Sequence, residues 1–290
     1  MKKTAKHWKD YEILDAGNGE KLERWGDIIL RRPDPQVIWK EKSNPSLWDK
    51  ADAHYHRSRS GGGEWEFYKK LPDGWKISYR DLTFNVKPTG FKHTGLFPEQ
   101  AANWDFIDDK IKNAGRDIKV LNLFAYTGGA TLAAAAAGAS VCHVDAAKGM
   151  VTWAKDNATL SNLREKPVRY IVDDVIKFVQ REHRRGNKYD AIIMDPPSYG
   201  RGPNGEVWKL ENELYGLISS CIDILSDDPL FMIVNSYTSG VSSTIISNLI
   251  SLTVKKKFGG IVTNDEIAIP IKASGLYLPC GAATRWINEM

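Results

Sequence analysis

The chemistry of this chain is concentrated in Val120-Leu121-Asn122-Leu123-Phe124-Ala125-Tyr126-Thr127-Gly128-Gly129-Ala130-Thr131, where an apolar stretch passes through a Gly-Gly pair into a helical pattern. A helix that starts on such a turn presents unused N–H groups, which favour a carboxylate or a phosphate, and glycine lets a backbone approach a ligand closely. On its own the turn is often no more than a tight connection. It also lacks the GxGxxG spacing of a dinucleotide site. Three acidic positions strengthen it. Asp145 closes His143-Val144-Asp145, where a carboxylate can accept hydrogen bonds from both hydroxyls of a ribose. Asp173 and Asp174 follow Val172, and Asp195 opens Asp195-Pro196-Pro197-Ser198-Tyr199. A single Asp at a strand end is more often a helix cap than a ligand. Three of them beside a glycine turn point to a ligand held along one edge of a sheet.

The elements that must position these residues are read from periodicity. After residue 90, apolar runs of strand length alternate with amphipathic stretches, the pattern of parallel β-α units. Strands are expected over 119–124, 140–145, 168–172, 190–195, 230–236, 261–269 and 282–287. Helices are expected over 130–137, 148–160, 175–185, 207–225 and 241–252. VLNLF and AIIM are nearly all apolar, as strands covered on both faces must be. The expected fold is α/β: a doubly wound, Rossmann-like, seven-stranded and mostly parallel sheet over 91–290. Residues 1–90 read as a small β-rich accessory domain. It has a turn at Gly17-Asn18-Gly19, a hairpin about Pro72-Asp73-Gly74 and a mobile polar loop over 42–63 containing Ser60-Gly61-Gly62-Gly63. The boundary is expected near Pro88-Thr89-Gly90.

Bulk properties limit the function classes. Among 290 residues, 42% are hydrophobic and 26% charged, as in an ordinary globular protein. No apolar run reaches the ~18–20 residues needed to cross a bilayer, and the start lacks a signal-peptide core, so a cytoplasmic protein is expected. Cys142, Cys221 and Cys280 are widely separated, which argues against a disulfide framework or a zinc site of the CxxC kind. The net charge of +4 arises wholly within residues 1–90, with 18 Lys and Arg against 14 Asp and Glu. That is compatible with an anionic partner without requiring one. Six of the ten tryptophans lie in the first 75 residues. They are read as core of the small domain, with base stacking as the alternative.

The segments LNLFAYTGGATLAAAAAGA, VDAAKGMVTWAKDNA, VDDVIKFV and DPPSYG resemble the consecutive motifs of class I S-adenosylmethionine-dependent methyltransferases. Within that class they are most similar to the bacterial enzymes that methylate large-subunit ribosomal RNA, the guanine-N7 and cytosine-C5 group. Lys92-His93-Thr94-Gly95-Leu96-Phe97-Pro98-Glu99-Gln100 resembles the group's extra motif before the fold. The resemblance runs from about 90 to 250. It implies S-adenosyl-L-methionine as cofactor, with the backbone around Ala125, Tyr126, Thr127 and Gly128 holding the methionine part. It further implies Asp145 on the ribose, Asp174 on the adenine amine, Asp195 near the sulfonium, and Phe97 and Gln100 closing over the cofactor. Tyr126 departs from the pattern, since relatives often have glycine there. RNA, ribosomal RNA in particular, is the implied partner.

Asp195-Pro196-Pro197-Ser198-Tyr199 resembles the [D/N]-P-P-[Y/F] type of motif found where a ring nitrogen or amine is methylated. Asp195 and the Pro196 carbonyl can accept hydrogen bonds from an amine, and Tyr199 could stack on a flipped-out base. The alternative for Tyr199 is packing against the helix expected from Val207. Methylation at cytosine C5 needs a thiolate. Relatives with that activity carry the cysteine in the loop after the fourth or fifth strand; here those loops carry none, which leaves Cys280 as the only candidate and disfavours carbon-5 methylation. The stretch from Leu121 to Gly240 resembles the guanine-N7 methyltransferase domain of that group, which implies guanine as the favoured base, with an exocyclic amine of guanine or adenine left open. Arg201 and Lys209 are candidates for a backbone phosphate. The basic run Arg181 to Lys188 is expected to offset a helix dipole. Two other readings stay open: a methyltransferase acting on protein or a small molecule, and a non-catalytic RNA-binding protein retaining the fold.

Overall fold

The structure, a computed structural model, describes residues 1–58, 62–201, 207–237 and 240–289. It comprises two compact units, one of Lys3–Ala102 with Ile267–Cys280, the other of Met1–Lys2, Asn103–Glu266 and Gly281–Met290. The division comes after Ala102 rather than at Gly90. Trp8 Nε1 donates to the Pro98 carbonyl at 3.0 Å and Arg32 to that of Lys92 at 2.7 Å, which ties residues 91–102 to the N-terminal unit. Ile271 bridges Ile13, and the Lys272 N–H donates to the Ile13 carbonyl, so the hairpin tip over 267–280 belongs there too.

In the N-terminal unit, β2 (Tyr11–Gly17), β3 (Glu20–Trp25), β4 (Ile28–Pro33), β5 (Ala53–Arg57) and β6 (Gly63–Phe67) form a sheet in that order. Asn18 at φ 53° and Gly19 at φ 80° make the tight β2–β3 turn. The expected hairpin about Pro72-Asp73-Gly74 is not formed. β6 pairs back onto β5, while β7 (Trp75–Tyr79) pairs with β8 (Leu82–Val86) across Arg80 and Asp81. The region expected as loop, 42–63, contains a short 3-10 turn (Pro45–Lys50) and all of β5. Of Ser60-Gly61-Gly62-Gly63, only Gly62 and Gly63 are among the described residues. Trp25 and Trp48 are buried. Trp8, Trp39, Trp65 and Trp75 are half-buried, each donating its indole N–H to a backbone carbonyl, so the tryptophans serve as pegs of the fold.

The larger sheet has eight strands. All seven expected strands form: β9 (Lys119–Leu123), β10 (Ser140–Asp145), β11 (Val168–Val172), β12 (Ala191–Met194), β15 (Phe231–Ser236), β16 (Ile261–Pro270) and β17 (Tyr277–Ile287). The two-residue β1 (Lys2–Lys3) is the eighth, in the order β1-β16-β17-β15-β12-β9-β10-β11. β15, β12, β9, β10 and β11 run parallel in register, and β17 is antiparallel to β15. Alternate side chains along each strand serve two helical layers. Leu121, Cys142, Ile192 and Met232 share a core with α4 (Val175–Arg184), α5 (Leu210–Ile222) and α6 (Ser243–Ile250). On the other face Phe231 meets Phe106 of α1 (Ala101–Lys112), and Asn122 meets Thr131 of α2 (Gly129–Ala136). α3 (Lys148–Leu160) packs on β10 and β11.

The helical layer departs from expectation in three main ways. α1 was not expected, although Trp104, Ile107 and Ile111 form a buried stripe at helical spacing. The helix expected from 207 starts at Leu210, because Val207–Lys209 (β14) pairs with Tyr199–Arg201 (β13). α6 runs on through a π turn (Ser251–Lys255) into α7 (Lys256–Phe258), where Thr253 Oγ1 donates to the Leu249 carbonyl, and Gly259 at φ 73° ends it. Among the described residues no helix is long and apolar enough to cross a membrane.

Candidate active site

The strand order reverses between β9 and β12, since β10 and β11 lie to one side of β9 and β12 and β15 to the other. Parallel sheets open a crevice at the carboxyl ends of their strands at such a point. The turn after β9 enters it with a strained backbone: Phe124, Tyr126 and Gly128 have φ of 55°, 50° and 90°. Side chains larger than Asn are uncommon in that region unless other contacts enforce it. Here they do. The Ala125 N–H donates to the Val144 carbonyl at 3.0 Å, the Tyr126 N–H to Asp145 Oδ2 at 2.9 Å, and the Gly128 N–H to the Ala125 carbonyl at 3.0 Å. Tyr126 thus takes a left-handed conformation usual for glycine because the neighbouring carboxylate holds its amide.

The two glycines are needed for packing. A Cβ on Gly128 would lie 3.0 Å from that of Ala154 in α3, and one on Gly129 would lie 2.5 Å from the Trp104 ring. Beneath the turn runs a buried neutral chain that the sequence reading missed. Asn122 Nδ2 donates to Thr131 Oγ1 at 2.9 Å, and Thr131 Oγ1 lies 2.9 Å from His143 Nδ1. Burial lowers the His143 ring to a pKa of about 3, so it is neutral at physiological pH. Asn157, also buried, donates to the Thr127 carbonyl at 2.9 Å.

Asp145 accepts the Ala147 N–H on Oδ1 at 2.8 Å and the Tyr126 N–H on Oδ2. Burial pushes its carboxyl up, and these two N–H groups offset part of the rise. A carboxylate has about four acceptor sites, so two backbone bonds leave capacity for a diol. One strand further on, Asp173 and Asp174 divide their work. Asp174 caps α4 by accepting the Lys177 N–H at 2.9 Å, while Asp173 accepts the Asp174 N–H and pairs with Arg181. Phe97 and Gln100 lie in the N-terminal unit, where the Gln100 N–H donates to the Phe97 carbonyl at 3.1 Å and Gln100 is buried.

Asp195 and Pro196 follow β12, and Tyr237 follows β15. The Tyr237 hydroxyl donates to Asp195 Oδ2 at 3.1 Å, joining the two loops. Trp208 in β14 donates its indole N–H to the Pro197 carbonyl at 2.6 Å and sets its ring 5.0 Å from that of Phe124. The sequence offered no signal for Trp208, because 207–209 reads as the first turn of a helix. Tyr199 is half exposed and does not sink against α5. With Ser198, Lys209, Glu211, Tyr237, Gly240 and Val241 it lines a cavity of about 610 Å³. Thr238 and Ser239 of the adjacent loop lie outside the described residues, and Arg201 is described by its backbone alone. A buried Asn103–Arg285 pair braces the end of β15, with Asn103 Nδ2 donating to Asn235 Oδ1 at 2.9 Å. The basic run behaves as a helix end. Arg181 pairs with Asp173, Arg185 with Glu182, and Lys188 donates to the Asp223 carbonyl.

The chain matches the family model described as S-adenosylmethionine-dependent methyltransferase over residues 48–210. It is 34% identical over 145 residues to a ribosomal RNA large subunit methyltransferase K/L of Shewanella baltica, covering 49% of this chain and 20% of that protein. To the ribosomal RNA large subunit methyltransferase K of Neisseria meningitidis it is 26% identical over 191 residues, covering 65% of this chain and 53% of that one. The chain therefore spans about a fifth to a half of the length of these relatives. A crystal structure of a SAM-dependent methyltransferase from Agrobacterium tumefaciens superposes with a TM-score of 0.94 at 38% identity, covering 100% of this chain and 94% of that one. The chain belongs to the family of S-adenosylmethionine-dependent methyltransferases, and S-adenosylmethionine is its cofactor.

Proposed function

We propose that this enzyme methylates a base nitrogen of ribosomal RNA, with guanine the favoured base, and does so in the cytoplasm. The observation that carries the reading is the cavity beside Asp195-Pro196-Pro197. It is bordered by two tyrosines and a lysine, and no cysteine is among the described residues that line it. Its volume of about 610 Å³ accommodates a purine with its ribose. The matched relatives from Shewanella and Neisseria are named as ribosomal RNA large subunit methyltransferases, which supports RNA as substrate.

The donor set of the crevice suits the cofactor. Asp145 is the ribose ligand, its carboxylate aimed by the two backbone N–H groups. Asp174 offers the adenine amine the oxygen that does not cap α4. The amides of Ala125, Tyr126 and Gly128 are taken up by the Val144 carbonyl, Asp145 and the Ala125 carbonyl, so the stretch Ala125 to Gly128 holds the methionine ammonium through carbonyl oxygens. Phe97 and Gln100 are assigned to closing over the cofactor, as the sequence motif around them implies. When bound, the cofactor supplies a methyl group on a cationic sulfonium, open to in-line attack by a lone pair. Tyr199 stacks on the extruded base. Asp195, oriented by the Tyr237 hydroxyl, and the Pro196 carbonyl fix the edge of the ring. Glu211 can accept from the N1–H and 2-amino groups of guanine, and Lys209 can donate to O6 or to a phosphate. Guanine N7 carries a lone pair at neutral pH, so positioning is the main task; alignment of this kind is worth about 7–11 kcal/mol.

Carbon-5 chemistry is disfavoured by the thiols. Burial raises all three, and Cys280 is pushed further up by Glu99. None is a thiolate at neutral pH. The reading is tested with labelled S-adenosylmethionine, undermethylated ribosomal RNA and a protein lysate as competing acceptors. Label in the RNA, traced by mass spectrometry to one guanine, is expected. Label confined to protein would overturn the RNA assignment, and label on a pyrimidine carbon would overturn the base assignment.

A further inference from the structure

The strand that replaces the expected loop over 42–63 carries His54 and His56, which lie on one face of β5 because strand side chains alternate. Glu66 of β6 stands opposite His54 in the antiparallel register. One ring nitrogen from each histidine and a Glu66 oxygen all lie within 4.8 Å of one another. The two imidazole centroids are 3.8 Å apart, and His56 Nε2 is 2.7 Å from Glu66 Oε2. Behind them, Glu20 Oε1 holds His54 Nε2 at 2.6 Å, while the other Glu20 oxygen is anchored by Arg31. The Tyr68 hydroxyl donates to Glu66 at 3.0 Å.

We propose that His54, His56 and Glu66 bind one divalent transition-metal ion of the zinc or nickel class, a site unrelated to methyl transfer. Two imidazoles and a carboxylate form a ligand set that such ions favour over calcium or magnesium. Glu20 supplies what isolated surface histidines lack: with its carboxylate on His54 Nε2, the metal would take Nδ1, and a carboxylate so placed fixes the tautomer and raises ligand basicity. His54 is buried, which holds its ring in place beside Glu20. His56 and Glu66 are about half exposed, which leaves an entry path and a position for water or an external ligand. A metal at about 2.0–2.1 Å from each donor requires the His56–Glu66 separation to open by about 0.6 Å. Ordinary His–Glu ion pairing explains each contact singly. It does not explain why two imidazoles lie together at 3.8 Å on the face that also receives Glu66.

The test uses the full chain without a histidine tag, stripped with chelator and titrated with zinc chloride in a calorimeter. One equivalent is expected to bind with a dissociation constant in the micromolar range or below. His56→Ala and Glu66→Gln, both at half-exposed positions, are expected to weaken binding at least tenfold with unchanged circular dichroism. His183→Ala, in the other unit, leaves it intact. Cobalt chloride provides a second readout, a visible absorption band for the wild type that both variants lose. Absence of stoichiometric binding in the wild type would overturn the proposal, as would equal affinity in His56→Ala and wild type.

Discussion

Beneath the glycine turn the buried polar side chains form a neutral relay, Asn122 to Thr131 to His143, whereas in the N-terminal sheet they are charged and neutralise one another. Glu23, fully buried, accepts from the Tyr11 hydroxyl at 2.7 Å and from Arg32 at 2.6 and 2.9 Å, with Lys21 at 3.5 Å. Burial pushes its carboxyl up, but Arg32 and Lys21 outweigh that and hold it at about 2. The contrast separates two tasks. A buried charge cluster tolerates no missing member, which suits a unit whose strands must keep one pairing. A neutral layer under the crevice leaves the local field to Asp145, Asp174 and Asp195, the groups that stand where a cationic donor is proposed to lie.

The sharpest way to break that contrast is to remove the shared carboxylate. Glu23→Ala leaves Arg32 buried without its carboxylate, while Lys21 keeps Asp34 at 3.2 Å, and losses of this kind run to about 3–5 kcal/mol. Urea unfolding followed by tryptophan fluorescence should show the midpoint falling sharply. A loss below about 1 kcal/mol would mean that water replaces the carboxylate and that the cluster is not closed.

Acid distinguishes the two arrangements by where stability is lost. Glu23 has a folded pKa depressed from 4.5 to about 2. Its contribution, about 3 kcal/mol, is complete above pH 4.5 and lost as pH falls toward 2. His143 has a folded pKa lowered from 6.5 to about 3. Between those values the unfolded chain binds the extra proton, so stability declines as pH drops below 6.5, by roughly 3–5 kcal/mol in all. Protection factors, which allow for the slower intrinsic exchange in acid, should therefore fall on β9 and β10 between pH 6 and 4, and a further fall on β3 and β4 should follow between pH 4.5 and 2 as Glu23 is protonated. His93 of the N-terminal unit, lowered to about 4 by burial, adds a smaller loss there below pH 6.5, so the separate origins would be contradicted by a β3–β4 pair that loses no further protection between pH 4.5 and 2.

Much of this was legible in the sequence. VLNLF and AIIM are apolar enough to be recognised as covered parallel strands, and both lead into residues that stand along one edge. Local periodicity has no means of showing which partner a strand chooses. For that reason Trp75–Tyr79 was expected to pair across Pro72-Asp73-Gly74 rather than with Leu82–Val86. The His-Tyr-His strand was hidden because its outward face is polar and its flanks are rich in serine and glycine. At the site, the carboxylates could be picked out from their positions at strand ends. Tyr237 and Trp208 could not, since their contacts with Asp195 and Pro197 join segments 42 and 11 residues apart through loop geometry alone.

At the crevice, Asp145→Ala is expected to weaken S-adenosylmethionine binding by roughly 2–3 kcal/mol, the value of hydrogen bonds to a charged group. Calorimetry should show a drop of about 30- to 150-fold. The residue also holds the Tyr126 and Ala147 amides, so Asp145→Asn serves as a finer probe. It retains one acceptor oxygen and should fall between wild type and alanine. An affinity unchanged in both variants would remove Asp145 from the ribose.

Tyr199 provides the smallest and most discriminating change. It is 50% exposed and its backbone is fixed by pairing with Lys209 in the β13–β14 hairpin, so trimming its ring should leave the fold intact. Stacking of a base on an aromatic ring is worth about 1–3 kcal/mol. Tyr199→Ala should therefore lower methyl transfer to RNA by about tenfold or more while S-adenosylmethionine affinity stays at the wild-type value. Tyr199→Phe, which keeps the ring and loses the hydroxyl, should restore most of the rate if stacking is the role. A phenylalanine variant as impaired as alanine would instead assign the work to the hydroxyl. Equal loss of cofactor affinity in Tyr199→Ala and Asp145→Ala would make the cavity part of the cofactor crevice rather than a separate seat for the base.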